Sequence, residues 1–193
     1  MANPLMSAEL NKVDIENLKK TYSSELVRKA IRSALDKTAT WSKNYLADEI
    51  AKRYKLPRGD VRRAMHLKRT TQTKLEAQII TESTALELIK HFKATQDAAG
   101  VSATIEPGWI KQTLHAFINK PKGSRKRVVM LRMGRKRYPT TGKAGYGPPI
   151  QVLLGRSKVL KPAIIKMQDH LYKELEDQIT KRTMRQTRVA ELE

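Results

Sequence analysis

Apolar positions recur at helical spacing from about Asp14 to Lys55, with Val27, Ala30, Ile31, Ala34, Leu35, Thr38, Trp41, Tyr45, Leu46 and Ile50 on one stripe. An apolar residue every three or four positions lies on one side of a helix, so the segment predicts a long amphipathic helix. Asp14 is placed to cap an earlier turn carrying Ile15 and Leu18, and the pattern leaves open whether one helix or two fill this region. Leu56 and Pro57 end it, because a residue before proline avoids the α region. Pro57, Arg58, Gly59 and Asp60 predict a turn, followed by a short helix through Met65.

The period then changes to two. Leu75, Ala77 and Ile79 alternate with Lys74, Glu76 and Gln78, and Val101, Ala103 and Ile105 alternate with Ser102, Thr104 and Glu106. Both stretches predict half-buried strands. Arg127 to Met133 is a third candidate, in which the unbroken apolar run Val128 to Leu131 suggests burial on both faces or in an interface. Trp109 to Ile118 is expected to be a short helical or irregular insertion ending at Pro121, and Arg135 to Gly147, rich in Gly, Pro, Thr and Lys, a long loop.

A second long amphipathic helix is predicted from about Ser157. Pro162 would sit in its first turn, where a missing N–H costs little, and Ile164, Gln168, Leu171, Leu175 and Ile179 would line one face. The periodicity stops after Met184, where fraying is expected. Together these elements predict an α+β fold, with long N-terminal and C-terminal amphipathic helices packed on a small, mostly antiparallel sheet that carries a basic loop. Residues 11–185 are expected to form one domain, flanked by a flexible arm over residues 1–10 and a flexible tail over residues 186–193.

Charge changes the picture most. The 193 residues carry a formal net charge of +20, which a compact body tolerates best beside phosphates or acidic partners. From Pro107 to Gln168 there is no Asp or Glu, yet fifteen of the 39 Lys and Arg lie there. Strand alternation gathers Arg125, Lys126 and Arg127 before the apolar run and Arg132, Arg135, Lys136 and Arg137 after it, a basic surface suited to phosphate contact. With two Phe and no aromatic residues among these cations, stacking on single-stranded bases has little support. The absence of cysteine removes disulfides and thiolate metal sites, no signal-peptide pattern opens the chain, and no apolar run approaches the roughly 18 residues that span a bilayer. Synthesis in the cytoplasm and no membrane partner are expected.

Chemistry is sparse. His66, His91, His115 and His170 are scattered outside any metal-ligand spacing, and no Walker A, GxSxG or GxGxxG string is present. No cofactor, metal or enzymatic activity is expected. Leu46 to Met65 has the outline of a helix-turn-helix, which would aim Arg58, Arg62 and Arg63 at DNA; Lys55 stands where that motif usually has glycine, and Pro57 and Gly59 lengthen the turn. A helix end followed by a capping helix is the simpler reading. Trp41 and Tyr45 are expected to anchor a core or an interface.

In order, the chain carries a long Ala-containing helix, LPRGDVRRAM, HAFI at His115 to Ile118, VVMLRMGRKRYP, GPPI at Gly147 to Ile150 and a C-terminal helix. This order, from about residue 20 to 185, resembles the bacteriophage and prophage minor tail protein Z family of tail completion proteins. Its most specific part is Arg132, Gly134, Arg137 and Pro139 followed by Gly147 and Pro148; Thr140 stands where an aliphatic residue is common in the family, and Pro149 replaces a serine. The resemblance implies a structural virion protein at the head-proximal end, or neck, of a phage tail. It implies rings, often of six copies, stacked between the tail tube or its terminator and the head connector, and a role in placing the DNA end without reading sequence. The seven cations Arg125 to Arg137 would then face DNA in the channel or an acidic neighbouring ring.

Overall fold

The computed structural model describes residues 16, 20, 22–132, 140, 141 and 145–190. They form an α+β protein of two long helices, three short ones and ten short strands in four small antiparallel sheets, all counted among the described residues. Helix α1 is Ser24–Tyr54. Its start is capped, since Leu26 N donates to Ser23 Oγ at 3.3 Å, and Glu25 in the first turn and Lys52 and Arg53 in the last suit the helix dipole. It ends where Lys55 turns left-handed at φ 53°. Helix α2, Arg58–Arg63, stops earlier than predicted, because Met65 opens strand β1 (Met65–Lys68), paired with β2 (Gln78–Thr81). The strand predicted from Lys74 therefore begins four residues late.

The chain clusters into two compact units. One comprises α1 up to Leu46, the β1–β2 hairpin and the last helix, α5 (Ser157–Ala190). Its core joins Val27, Ala30, Ile31 and Ala34 of α1 to Leu171, Leu175 and Ile179 of α5. The small alanines let the helix backbones approach, and the i, i+4 spacing on α5 keeps the aliphatic groups facing them. Nearer the start of α5 the buried positions are Val159, Ala163 and Met167, while Ile164 is half-buried and Gln168 exposed, so the face is rotated from the one predicted. Pro162 lies inside the helix, beyond its first turn, and the helix runs past Met184 to Ala190.

The other unit comprises Ala47–Ala64 and Glu82–Leu154. Strand β5 (Gly100–Glu106) is central, with β4 (Thr95–Gln96) and β6 (Trp109–Leu114) on either side. Val101, Ala103 and Ile105 are buried, as their alternation predicts. Strand β7 (Ala116–Asn119) pairs with β8 (Val128–Arg132), which pairs with β9 (Thr140–Thr141). The predicted insertion at Trp109 to Ile118 is thus two strands. Gly108 at φ 80° makes the turn into β6 and His115 at φ 58° the break before β7; with Ile110 and Leu114 facing outward, the alternation does not mark a buried face. In β8 only Val129 is fully buried, and it packs with Val101 and Ala116.

Strand β10 (Tyr146–Pro149) pairs with β3 (Ala85–Glu87), flanked by helices α3 (Leu88–Phe92) and α4 (Ile150–Leu154). Gly147, expected in a loop, is buried in β10. A Cβ added there would lie 2.9 Å from Phe92 Cε2 and 3.1 Å from Leu88 Cδ2. Gly147→Ala should therefore force the Phe92 ring aside and cost about 1–3 kcal/mol of stability, whereas Leu171→Ala should cost about 2–5 kcal/mol by opening a cavity between the long helices. Denaturant titration of the two variants checks both values.

Candidate functional site

The loop between β7 and β8 displays the first group of predicted cations. Gly123 at φ 81° turns the chain, Ser124 N donates to Pro121 O at 3.0 Å, and Lys126 N donates to Ser124 Oγ at 3.1 Å. These short-range bonds hold Arg125, Lys126 and Arg127 on an exposed turn. Arg132 lies at the far end of β8, roughly 17 Å from Arg127 at strand rise, so the cations stand at the two ends of the strand. Arg132 is exposed, its guanidinium 5.5 Å from the Phe117 ring centroid, a cation–π contact on the face it shares with Met130. Arg135, Lys136 and Arg137, like Gly134 and Pro139, lie outside the described residues.

None of Arg125, Lys126, Arg127 and Arg132 has an acidic partner among the described residues. Arg127 borders a cleft of about 140 Å³ with Glu87, Ile89, Val128, Val129, Gly145 and Tyr146. Several acids elsewhere are engaged. Arg53 pairs with Glu106 at 2.5 Å, Arg58 with Asp48, and Asp60 meets Arg63 and, at 3.5 Å, Lys90. Of the three arginines in the helix-turn-helix outline, then, two are ion-paired and the third, Arg62, is exposed on a helix of six residues.

In the first unit, α1 and α5 meet in a ladder of side chains one turn apart. Lys37 binds Glu174 at 2.5 Å, the Trp41 ring stacks on His170 at 4.3 Å, and Lys166 lies 5.0 Å from the Tyr45 ring centroid. Trp41 also stacks on Tyr45 at 5.1 Å, which makes both aromatics anchors of the helix pair. Beside them an open concavity of about 410 Å³ is bordered by Asp36, Lys37, Thr40, Asn44 and Arg69 as well as Trp41 and His170. The Glu174 side chain is only 16% exposed. Burial raises its carboxyl pKa, but hydrogen bonds from Lys37 and Gln178 and the charges of Lys37 and Lys181 outweigh this and hold it below the ordinary value. Spacing within one helix does not name the partners across the pair, but the i, i+4 recurrence of Lys37, Trp41 and Tyr45 places these three in one row and is the signal that could have found the rungs.

Among the described residues no three of His, Cys, Asp and Glu come together as a metal cage would need, and no helix is long and apolar enough to cross a membrane. The class this defines is an α+β protein of strongly basic surface whose exposed cations at Arg125 to Arg127 have no acidic partner among the described residues. More narrowly, the chain belongs to the family described as prophage minor tail protein Z (GPZ), whose model matches residues 11–192, and it is accordingly a structural protein of phage tails. No curated protein and no solved structure matches it.

Burial lowers the pKa of His170, with Lys173 adding to this and Glu174 opposing it; His91 is lowered likewise by burial and Lys90, against Asp60 and Glu87. Both rings favour the neutral form when folded. Their contribution to stability is thus complete above the ordinary histidine pKa of about 6.5 and is lost as pH falls from there through the folded values. Thermal melts should show the midpoint dropping as pH is lowered from about 7.5 to about 5, with a shallower drop in His170→Gln.

Proposed function

We propose that this tail protein completes the head-proximal end of the tail as a ring of about six copies, stacked between the tail tube or its terminator and the head connector. Arg125, Lys126, Arg127, Arg132, Arg135, Lys136 and Arg137 hold the DNA end there through its phosphates. Such contacts are independent of sequence, which is what a channel for any stretch of genome requires. The observation that carries this reading is the exposed turn at Arg125 to Arg127. In a family of tail proteins, three adjacent cations stand free of acidic partners among the described residues, inside a segment with no acid over residues 107–168. The same cations also suit an acidic face on a neighbouring ring, where charge complementarity would set register.

Changing all seven to Gln separates the two roles. Circular dichroism of the purified variant should match the parent. Its duplex affinity should weaken and depend less on salt, the slope of log K against log salt falling by roughly 0.9 for each phosphate that is no longer neutralised. Particles carrying the variant should assemble with the DNA end misplaced. Assembled particles with normally placed DNA would refute the channel assignment, and failure of assembly would move these residues to the ring interface.

A further inference from the structure

We propose that β6 is a docking edge and that its occupant is β6 of a second copy of this chain, paired antiparallel about a two-fold axis. Strand β6 closes the β4–β5–β6 sheet, and among the described residues no strand pairs with its outer side. Which peptide groups face outward follows from the alternation of an antiparallel ladder. His115 N donates to Ala99 O at 2.9 Å, and a Cβ built on Gly100 would run into the Thr113 carbonyl oxygen. Thr113 and, two residues before it, Lys111 therefore turn their peptide groups towards β5. Ile110, Gln112 and Leu114 turn theirs away from the sheet.

The side chains of these same three residues are exposed, Ile110 by 64% and Leu114 by 58%. Proteins usually guard such an edge with charge, proline or a covering element, because a row of unpaired N–H and C=O groups is a template for another strand. Strand β6 has no proline, and its one charge, Lys111, belongs to the opposite face, where its Nζ donates to the Tyr146 carbonyl.

The strand is complementary to itself. With Gln112 opposite Gln112 of the second copy, Ile110 falls opposite Leu114 and Leu114 opposite Ile110, all on one face. Lys111 falls opposite Thr113. The outward peptide groups then meet as hydrogen-bonded pairs, flanked by two aliphatic cross-strand pairs. No like charges are opposed along the strand, although each chain carries +20 overall.

A two-fold contact joins two copies and closes; it has no place between neighbours in a polar ring. The dimer is thus the form of the free chain, and β6 must be released before a ring can use that edge. The pairing itself rests on the strand and not on the position proposed in the tail.

Sedimentation velocity on the full chain tests it. The wild type should sediment as a dimer. Gln112→Lys and Gln112→Glu each place like charges across the axis and should each give a monomer with an unchanged circular dichroism spectrum, whereas mixing the two should restore the dimer. Hydrogen exchange on the wild type should show the amides of Ile110, Gln112 and Leu114 gaining protection as concentration rises. A monomeric wild type, an oligomer whose mass neither variant changes, or a mixture that stays monomeric would each overturn the proposal.

Discussion

A chain with 39 basic and 19 acidic side chains cannot neutralise itself, and where the acids are used governs what the rest of the molecule can be. The shielded carboxylates are the structural ones. Glu106 and Glu174 have side chains 14% and 16% exposed, and Asp60 is exposed by 19%. Each binds at least one cation from elsewhere in its own unit or helix. Partial desolvation strengthens such pairs relative to those in open water, such as Lys29–Glu25 or Lys181–Asp177, which contribute little. The shielded acids Asp60, Glu106 and Glu174 are paired elsewhere, and none of the other carboxylates among the described residues pairs with the β7–β8 turn, which is left cationic. Its charge is what remains after the fold has placed its carboxylates, and it is available to a partner for that reason.

The α1–α5 pair divides the work between apolar and polar groups in another way. Aliphatic packing at Ala30, Ala34, Leu171 and Leu175 supplies the apolar burial, and the polar rungs sit alongside where the helices leave the core. Thr38 Oγ1 lies 3.3 Å from His170 Nδ1, so the imidazole is held by a hydroxyl as well as by the Trp41 face. Near the other end Arg182 donates to Ser33 Oγ at 2.7 Å. The helix that begins in this unit continues into the second, where Arg53 binds Glu106 and Tyr54 Oη donates to Leu153 O at 3.4 Å.

Much of the fold was legible because two kinds of periodicity are strong. The long helices follow from the spacing of Val27, Ala30, Ile31 and Ala34 and of Leu171, Leu175 and Ile179, and β5 from three buried residues alternating with polar ones. What was not legible is structure whose apolar residues do not face a core. Ile110 and Leu114 alternate with Lys111 and Thr113 but point outward, so β6 offers no pattern of burial. Strands β3, β4 and β9 are two or three residues long and exist through their partners, which local sequence does not announce. Gly147 looked like a turn residue because glycine permits turns; its role in β10 is to leave room for Phe92, a property of a neighbour 55 residues away. At the candidate surface, the cations and their places before and after the apolar run were legible in sequence, but the bonds that hold the Arg125 to Arg127 turn were not.

The ladder of rungs has a consequence for folding accuracy. Two helices that meet through alanines and a repeating aliphatic row present nearly equivalent ridges every turn, and sliding one past the other by about 5.4 Å would keep much of that apolar packing. The rungs break the degeneracy. A one-turn slip would carry Lys37 to His170, set Trp41 against Lys166 and leave Tyr45 facing Pro162, giving up an ion pair and an aromatic stack and keeping only a cation–π contact. Side chains that add modestly to stability thereby select one alignment from several of similar burial.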